Sequence, residues 1–139
     1  MFLLDLSNAI WLFVVIFMLH DFEEIITVEN WAKRTENIVR EKNSRIGRFI
    51  WNFWNVNSHS FAKRDVFIFL IASIITLIKV QFLDSAWVSV FYLAFLFFVL
   101  IHNVAHVLQS VYLKVYTPGL YTAILLVTPY VIYLISRLI

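Results

Sequence analysis

Leu6-Ser7-Asn8-Ala9-Ile10-Trp11-Leu12-Phe13-Val14-Val15-Ile16-Phe17-Met18-Leu19 runs without a break into His20-Asp21-Phe22-Glu23-Glu24. A stretch this apolar reads as a helix that has crossed most of a bilayer before it meets a histidine and three carboxylates, and polar groups at such a depth need partners. At about 100° per residue, His20, Glu23 and Glu24 fall within roughly a third of the helix circumference, with Thr27 on the same side. The competing reading is a helix that simply ends there in solvated interfacial charges.

A second cluster argues against simple termination. His102-Asn103-Val104-Ala105-His106, followed by Gln109 and Ser110, lies directly after the apolar run Trp87 to Ile101. The two histidines are spaced i, i+4, one turn apart on one face, and Gln109 extends the stripe. Two histidines at this spacing can ligate one metal ion from a helix. The complete metalloprotease motif also has a glutamate after the first histidine, where this chain has Asn103.

With 62% hydrophobic residues, 18% aromatics and a mean hydropathy of +0.83, the 139-residue chain is far more apolar than a soluble domain. The expected class is all-α: a polytopic membrane protein with four transmembrane helices in one bundle, plus a cytoplasmic interfacial amphipathic helix. The absence of cysteine removes disulfides, thiolate nucleophiles and sulfur ligands, so any metal site must use nitrogen and oxygen.

The spans are placed at about 6–26, 65–82, 86–112 and 120–136. The first lacks the basic n-region and small-residue cleavage site of a signal peptide. The intervening segment, about 28–64, carries eight of the eleven basic residues and is therefore assigned to the cytoplasm, with both termini external. Within it Ile46, Phe49, Ile50, Phe53 and Trp54 recur at helical spacing, a pattern suited to a helix lying among lipid headgroups. Basic and aromatic residues also interleave in nucleic-acid binders, but a net charge of +2 and a place between two spans favour membrane lipids over nucleic acid. Ser58 or Ser60 is the expected N-cap of the second span, which reads as scaffold, and His59 as a solvated loop histidine. Pro118-Gly119 marks a tight turn, and Thr128-Pro129 predicts a kink in the last span, with the threonine hydroxyl available to a freed carbonyl.

The first and third spans run in the same direction. His20 lies about 21 Å and His102 about 24 Å from the start of its helix. Matched depth in a small bundle predicts that His20, Glu23, Glu24, His102 and His106 face one another as a single site.

The His20-x-x-Glu23-Glu24 motif at the cytoplasmic end of a first span resembles the HXXEE family of small bacterial integral membrane proteins. His102-Asn103-x-x-His106 and Pro118-Gly119 are similar to the family's later elements, so the resemblance covers most of the chain. It implies membrane placement but no particular activity.

The chemistry follows from the residues. Three neutral imidazoles with an open position form a catalytic zinc arrangement, with a glutamate as general base toward the bound water. His20, His102, His106 and Glu24 are the expected ligands of a divalent transition metal, zinc first and iron second. Glu23 and Glu24 are the candidate catalytic carboxylates, and Asp21, Asn103 and Gln109 the outer partners that hold ring N–H groups. A di-iron site is disfavoured, because the carboxylates come from one helix. The leading function is a metal-dependent membrane hydrolase of a lipidic or amphiphilic substrate. A metal-free His/Glu isomerase, a metal or proton transporter, and a structural polar network between helices remain open, as does a homo-oligomer.

Overall fold

The computed structural model describes residues 4–139. It is all-helical, with no strand among the described residues: α1 Leu6–Lys42, α2 Arg45–Trp54, α3 Ser58–Gln81, α4 Ala86–Leu113 and α5 Leu120–Leu138. α4 and α5 are each long and apolar enough to cross a membrane.

Side-chain capping sets most of the boundaries. Asp5, Ser44, Asn57 and Ser85 each accept a backbone N–H from the first turn of the helix they precede. Asn43 and Lys114 end α1 and α4 in the left-handed conformation. Asn57, rather than Ser58 or Ser60, is therefore the cap of α3.

The main departure from expectation is the length of α1. The sequence places its end near Ile26, yet the helix continues for 37 residues, roughly 55 Å, well beyond a hydrocarbon core of about 30 Å. Residues 28–64 are thus the rest of α1, all of α2 and the first turns of α3, not a loop. The reason is a buried stripe that keeps helical spacing beyond the apolar run: Glu24, Val28, Trp31, Thr35 and Val39. Val28, Trp31, Ala32 and Val39 pack with Ile50 and Trp54 of α2, Phe61 of α3 and Leu113 of α4. Trp51 Nε1 donates to the carbonyl of Ala32 at 2.9 Å and ties α2 to α1. The apolar face of α2 is divided: Gly47, Ile50 and Trp54 turn inward, while Ile46, Phe49 and Phe53 are exposed.

A second apolar core lies nearer the N-terminus of α1, where Ala9, Ile10, Phe13 and Phe17 meet Ala72 of α3, Tyr92, Leu96 and Val99 of α4, and Val127, Val131 and Leu134 of α5. α1 packs along α2, α3 and α5, while α4 packs on α2, α3 and α5. α1 and α4 meet through side chains, with Phe13 edge-on to Phe95 at 5.7 Å and His20 edge-on to His102 at 5.7 Å. Polar residues occupy the gap between the two cores.

In α5 a wide π turn, Ala123–Val127, precedes Pro129. Proline has no N–H for the carbonyl four residues back, and its ring crowds that carbonyl. The wider turn relieves both. Thr128 Oγ1 accepts from Asn103 Nδ2 at 2.9 Å, so the hydroxyl expected to serve a freed carbonyl instead binds α4.

A continuous α1 is directly measurable. Spin labels on the exposed positions Asn8 and Ile38 should lie about 45 Å apart by pulsed EPR. A distance well below that would mean the helix breaks near Ile26 and folds back.

Candidate metal centre

His20 and Glu24 lie one turn apart on α1, and His102 and His106 one turn apart on α4, so each helix offers a pair at the same level. The four side chains converge. His106 Nε2 is 2.9 Å from His102 Nε2 and 3.2 Å from Glu24 Oε1. His20 Nε2 is 3.5 Å from His102 Nε2 and 3.7 Å from Glu24 Oε1. His20 is fully buried, and His106 and Glu24 nearly so.

These distances have a specific meaning. Four ligands at 2.0–2.1 Å from a tetrahedral ion lie roughly 3.3 Å apart. The four measured separations bracket that value. Glu24 Oε1 is buried with no hydrogen-bond donor, although it faces two imidazole nitrogens. A buried carboxylate oxygen without a donor is costly, and a cation at the point of convergence would satisfy it together with all three rings.

The tautomer of His20 follows from its outer partner. Thr122 Oγ1 is 2.9 Å from His20 Nδ1 and 2.5 Å from Glu23 Oε2, and also 3.3 Å from the carbonyl of Gly119. The single hydroxyl hydrogen goes to the shorter, charge-assisted bond with Glu23. Thr122 therefore accepts from His20 Nδ1–H, which leaves Nε2 bare and aimed at the cluster.

Glu23 itself does not enter the cluster. Its Oε1 accepts from the Tyr116 hydroxyl at 2.5 Å and the Tyr121 N–H at 3.2 Å, and its Oε2 from the Thr122 N–H at 2.7 Å as well as the Thr122 hydroxyl. It holds the start of α5, where backbone N–H groups lack partners within the helix. Tyr116, in the turn before α5, has its phenol pushed well above the ordinary range, first by burial and then by its bond to Glu23.

The remaining expected residues are placed as follows. Gln109 Oε1 accepts from Trp54 Nε1 at 2.8 Å, and the Trp54 ring lies 5.7 Å from that of His106, so Gln109 positions a wall of the site rather than a ring N–H. Asn103 bonds Thr128 on α5. Asp21 turns toward α3, where it forms a second group with Glu24 and Asp65. His59 is exposed in the first turn of α3.

Sequence reading missed Asp65, Thr122 and the close role of Gly119. α3, expected as scaffold, brings a carboxylate to the site, so acidic groups come from two helices, not one. A charged residue leading an otherwise apolar span was the available signal for Asp65. Thr122 had none, because one threonine in an apolar helix is unremarkable. Gly119 has φ +79°, and a Cβ there would lie 2.7 Å from His20 Cε1 and 2.8 Å from Glu24 Cγ. The turn thus packs its backbone directly over two cluster residues.

Beside the cluster a cavity of about 560 Å³ opens between α1, α3 and α4. Its walls are mainly apolar, among them Phe17, Ile68, Ile75 and Phe98, and its polar end is formed by Asp21, Glu24, Arg64, Asp65 and His102.

Fold and site together define a helical protein with a buried histidine–carboxylate cluster at the end of an apolar cavity. The chain belongs to the HXXEE family: the model for proteins of unknown function with the HXXEE motif matches residues 11–134, which include His20, Glu24, His102 and His106. No curated protein and no solved structure matches the chain.

Gly119→Ala tests the packing over the cluster. The left-handed backbone alone costs about 1–2 kcal/mol for a residue with a Cβ, and the new methyl must displace His20 and Glu24. A lowered melting temperature together with disturbed His20 ring resonances in NMR is the expected outcome. An unchanged melt and unchanged rings would mean that the turn does not rest on the cluster.

Proposed function

We propose that this protein is an integral membrane, metal-dependent enzyme, a zinc-type hydrolase acting on a lipidic or amphiphilic substrate at the cytoplasmic face. The observation that carries the reading is the convergence of His20, His102, His106 and Glu24 beside a largely apolar cavity. Three nitrogens and one oxygen suit zinc, with iron as the alternative.

In this reading the chain crosses the membrane four times, with the apolar part of α1 and most of α3 joining α4 and α5 as spans. Exposed Phe67 and Ile71 on α3, Phe98 and Val111 on α4 and Leu125 on α5 supply an apolar outer surface that favours lipid contact. The basic segment from Val28 to Arg64 faces the cytoplasm, and the exposed Ile46, Phe49 and Phe53 of α2 enter the headgroup layer. Labelling of a single cysteine at Asn43 should occur only from the cytoplasmic side; labelling from outside would reverse the orientation.

Each residue has a task derived from its surroundings. The apolar walls take up the substrate's hydrocarbon portion and exclude water from it, which leaves the polar headgroup bond at the Glu24–His102 end. Bound zinc supplies Lewis acidity toward the substrate and lowers the pKa of water to about 7. A proton acceptor in this site must be a carboxylate oxygen free of donors. Glu23, expected as a catalytic carboxylate, has both oxygens occupied by donors from Tyr116, Tyr121 and Thr122, and serves instead to orient His20 through Thr122. With Glu24 in the ligand set, Asp21 and Asp65 remain at the cavity end as proton acceptors. Arg64, whose guanidinium rests on Phe61 at 4.1 Å and Phe53 at 4.8 Å, is placed to attract an anionic headgroup.

Metal analysis of the detergent-purified protein tests this reading. Replacement of His20, His102 or His106 by Ala should abolish stoichiometric zinc, whereas His59→Ala should retain it. Thr122→Val should weaken zinc binding about 10–100-fold by releasing the His20 ring. A wild-type protein that takes up no transition metal would sink the zinc reading and promote metal-free acid–base chemistry.

A further inference from the structure

Asp21, Glu24 and Asp65 form a second group of potential ligands, with one oxygen from each lying within 4.8 Å of the others. Acidic groups meet often without a cation, so the surroundings of these three decide the matter. All three are buried, with Asp65 3% exposed, Glu24 5% and Asp21 6%. Asp65 Oδ2 is buried with no hydrogen-bond partner. The nearest cation, Arg64, places its Nε 3.6 Å from Asp65 Oδ1, beyond hydrogen-bond reach, and its guanidinium lies over two phenylalanine rings. Three carboxylates therefore share one poorly placed counter-charge inside an apolar enclosure, and the oxygen that lacks a partner belongs to the residue contributed by α3.

Glu24 belongs to both ligand groups, and its Oε1 lies on the histidine side. A carboxylate has a second oxygen, and bridging two ions is a common use of it in helical bundles that draw carboxylates from facing helices. We propose that Asp21, Glu24 and Asp65 form a second divalent-cation site, so that Glu24 bridges a two-ion centre. The assignment rests on the histidine site proposed above. The two sites differ in chemistry. The first offers three imidazoles and one carboxylate and suits zinc. The second offers only oxygen and suits a harder ion such as manganese(II), magnesium or iron(II). Asp21 and Asp65 both border the apolar cavity, as His102 does, so an ion held by them would sit at the same polar end as the histidine site. Two-ion centres with spacings of about 3.5–4 Å suit displacement at ester and phosphoester bonds.

The test uses the full-length, detergent-purified protein. Metal-free protein is loaded with one equivalent of Zn(II) and then titrated with Mn(II), with free Mn(II) followed by EPR. The wild type should hold one zinc and then bind one manganese; Asp65→Asn and Asp21→Asn should each retain the zinc and bind manganese at least tenfold more weakly. Zinc uptake without manganese uptake would overturn the second site and leave the histidine site standing. Failure to take up zinc would remove the histidine site and this inference with it. Manganese binding unchanged in both variants would place that ion elsewhere and overturn the assignment. Loss of both metals in either variant, with helical content by circular dichroism and melting temperature as in the wild type, would overturn the division into two sites. The wild-type titration alone reports whether a second ion binds, so the test does not depend on the variants folding.

Discussion

Glu24 Oε1 is held between His106 Nε2 and His20 Nε2, enclosed by apolar helices and with no donor of its own. Taking a carboxylate out of water costs several kcal/mol even after the protein relaxes around it. That cost has to be offset locally, and no lysine or arginine reaches the oxygen. The surrounding structure is consistent with this demand. The rings of His20, His102 and His106 are mutually edge-on and direct nitrogen rather than carbon toward one point. Gly119 brings the turn backbone so close that no side chain fits between.

Adjacent glutamates illustrate how a helix divides labour. Glu23 and Glu24 differ by about 100° around α1. That rotation sends Glu24 into the cluster, whereas Glu23 points to the start of α5, where Tyr116, Tyr121 and Thr122 supply donors. The motif is therefore one carboxylate in the cluster, Glu24, and one architectural carboxylate, Glu23, which is linked through the Thr122 hydroxyl to the ring of His20. Through that link the start of α5 and the orientation of a cluster histidine depend on the same side chain.

The two apolar cores explain why a polar site survives between them. Phe13, Phe17, Leu96 and Val99 close one side, and Val28, Trp54, Phe61 and Leu113 the other. Each core fixes helix separation above and below the cluster. The helices then cannot collapse onto the site, and the cavity between α1, α3 and α4 stays open. Its walls are apolar and its end beside the cluster carries the charged side chains.

Much of this was legible along the chain. The apolar runs announced an all-helical fold, the i, i+4 histidines announced one ligand pair, and His20-x-x-Glu23-Glu24 put a histidine and two carboxylates on one face of α1, because residues three and four apart share a helix face. Matched distances from the helix starts then placed the two groups at one level. Three matters were decided only by tertiary structure. Whether Glu23 or Glu24 enters the cluster depends on how α1 is rotated against α4 and α5, which periodicity leaves free. The continuation of α1 to Lys42 depends on Ile50, Trp54 and Phe61 covering its polar-flanked half, and those partners are remote in sequence. The place of Asp65 beside Asp21 and Glu24 depends on the register of α3 against α1. Composition and spacing act within one helix; rotation, register and enclosure are properties of helix pairs, set by which side chains interlock.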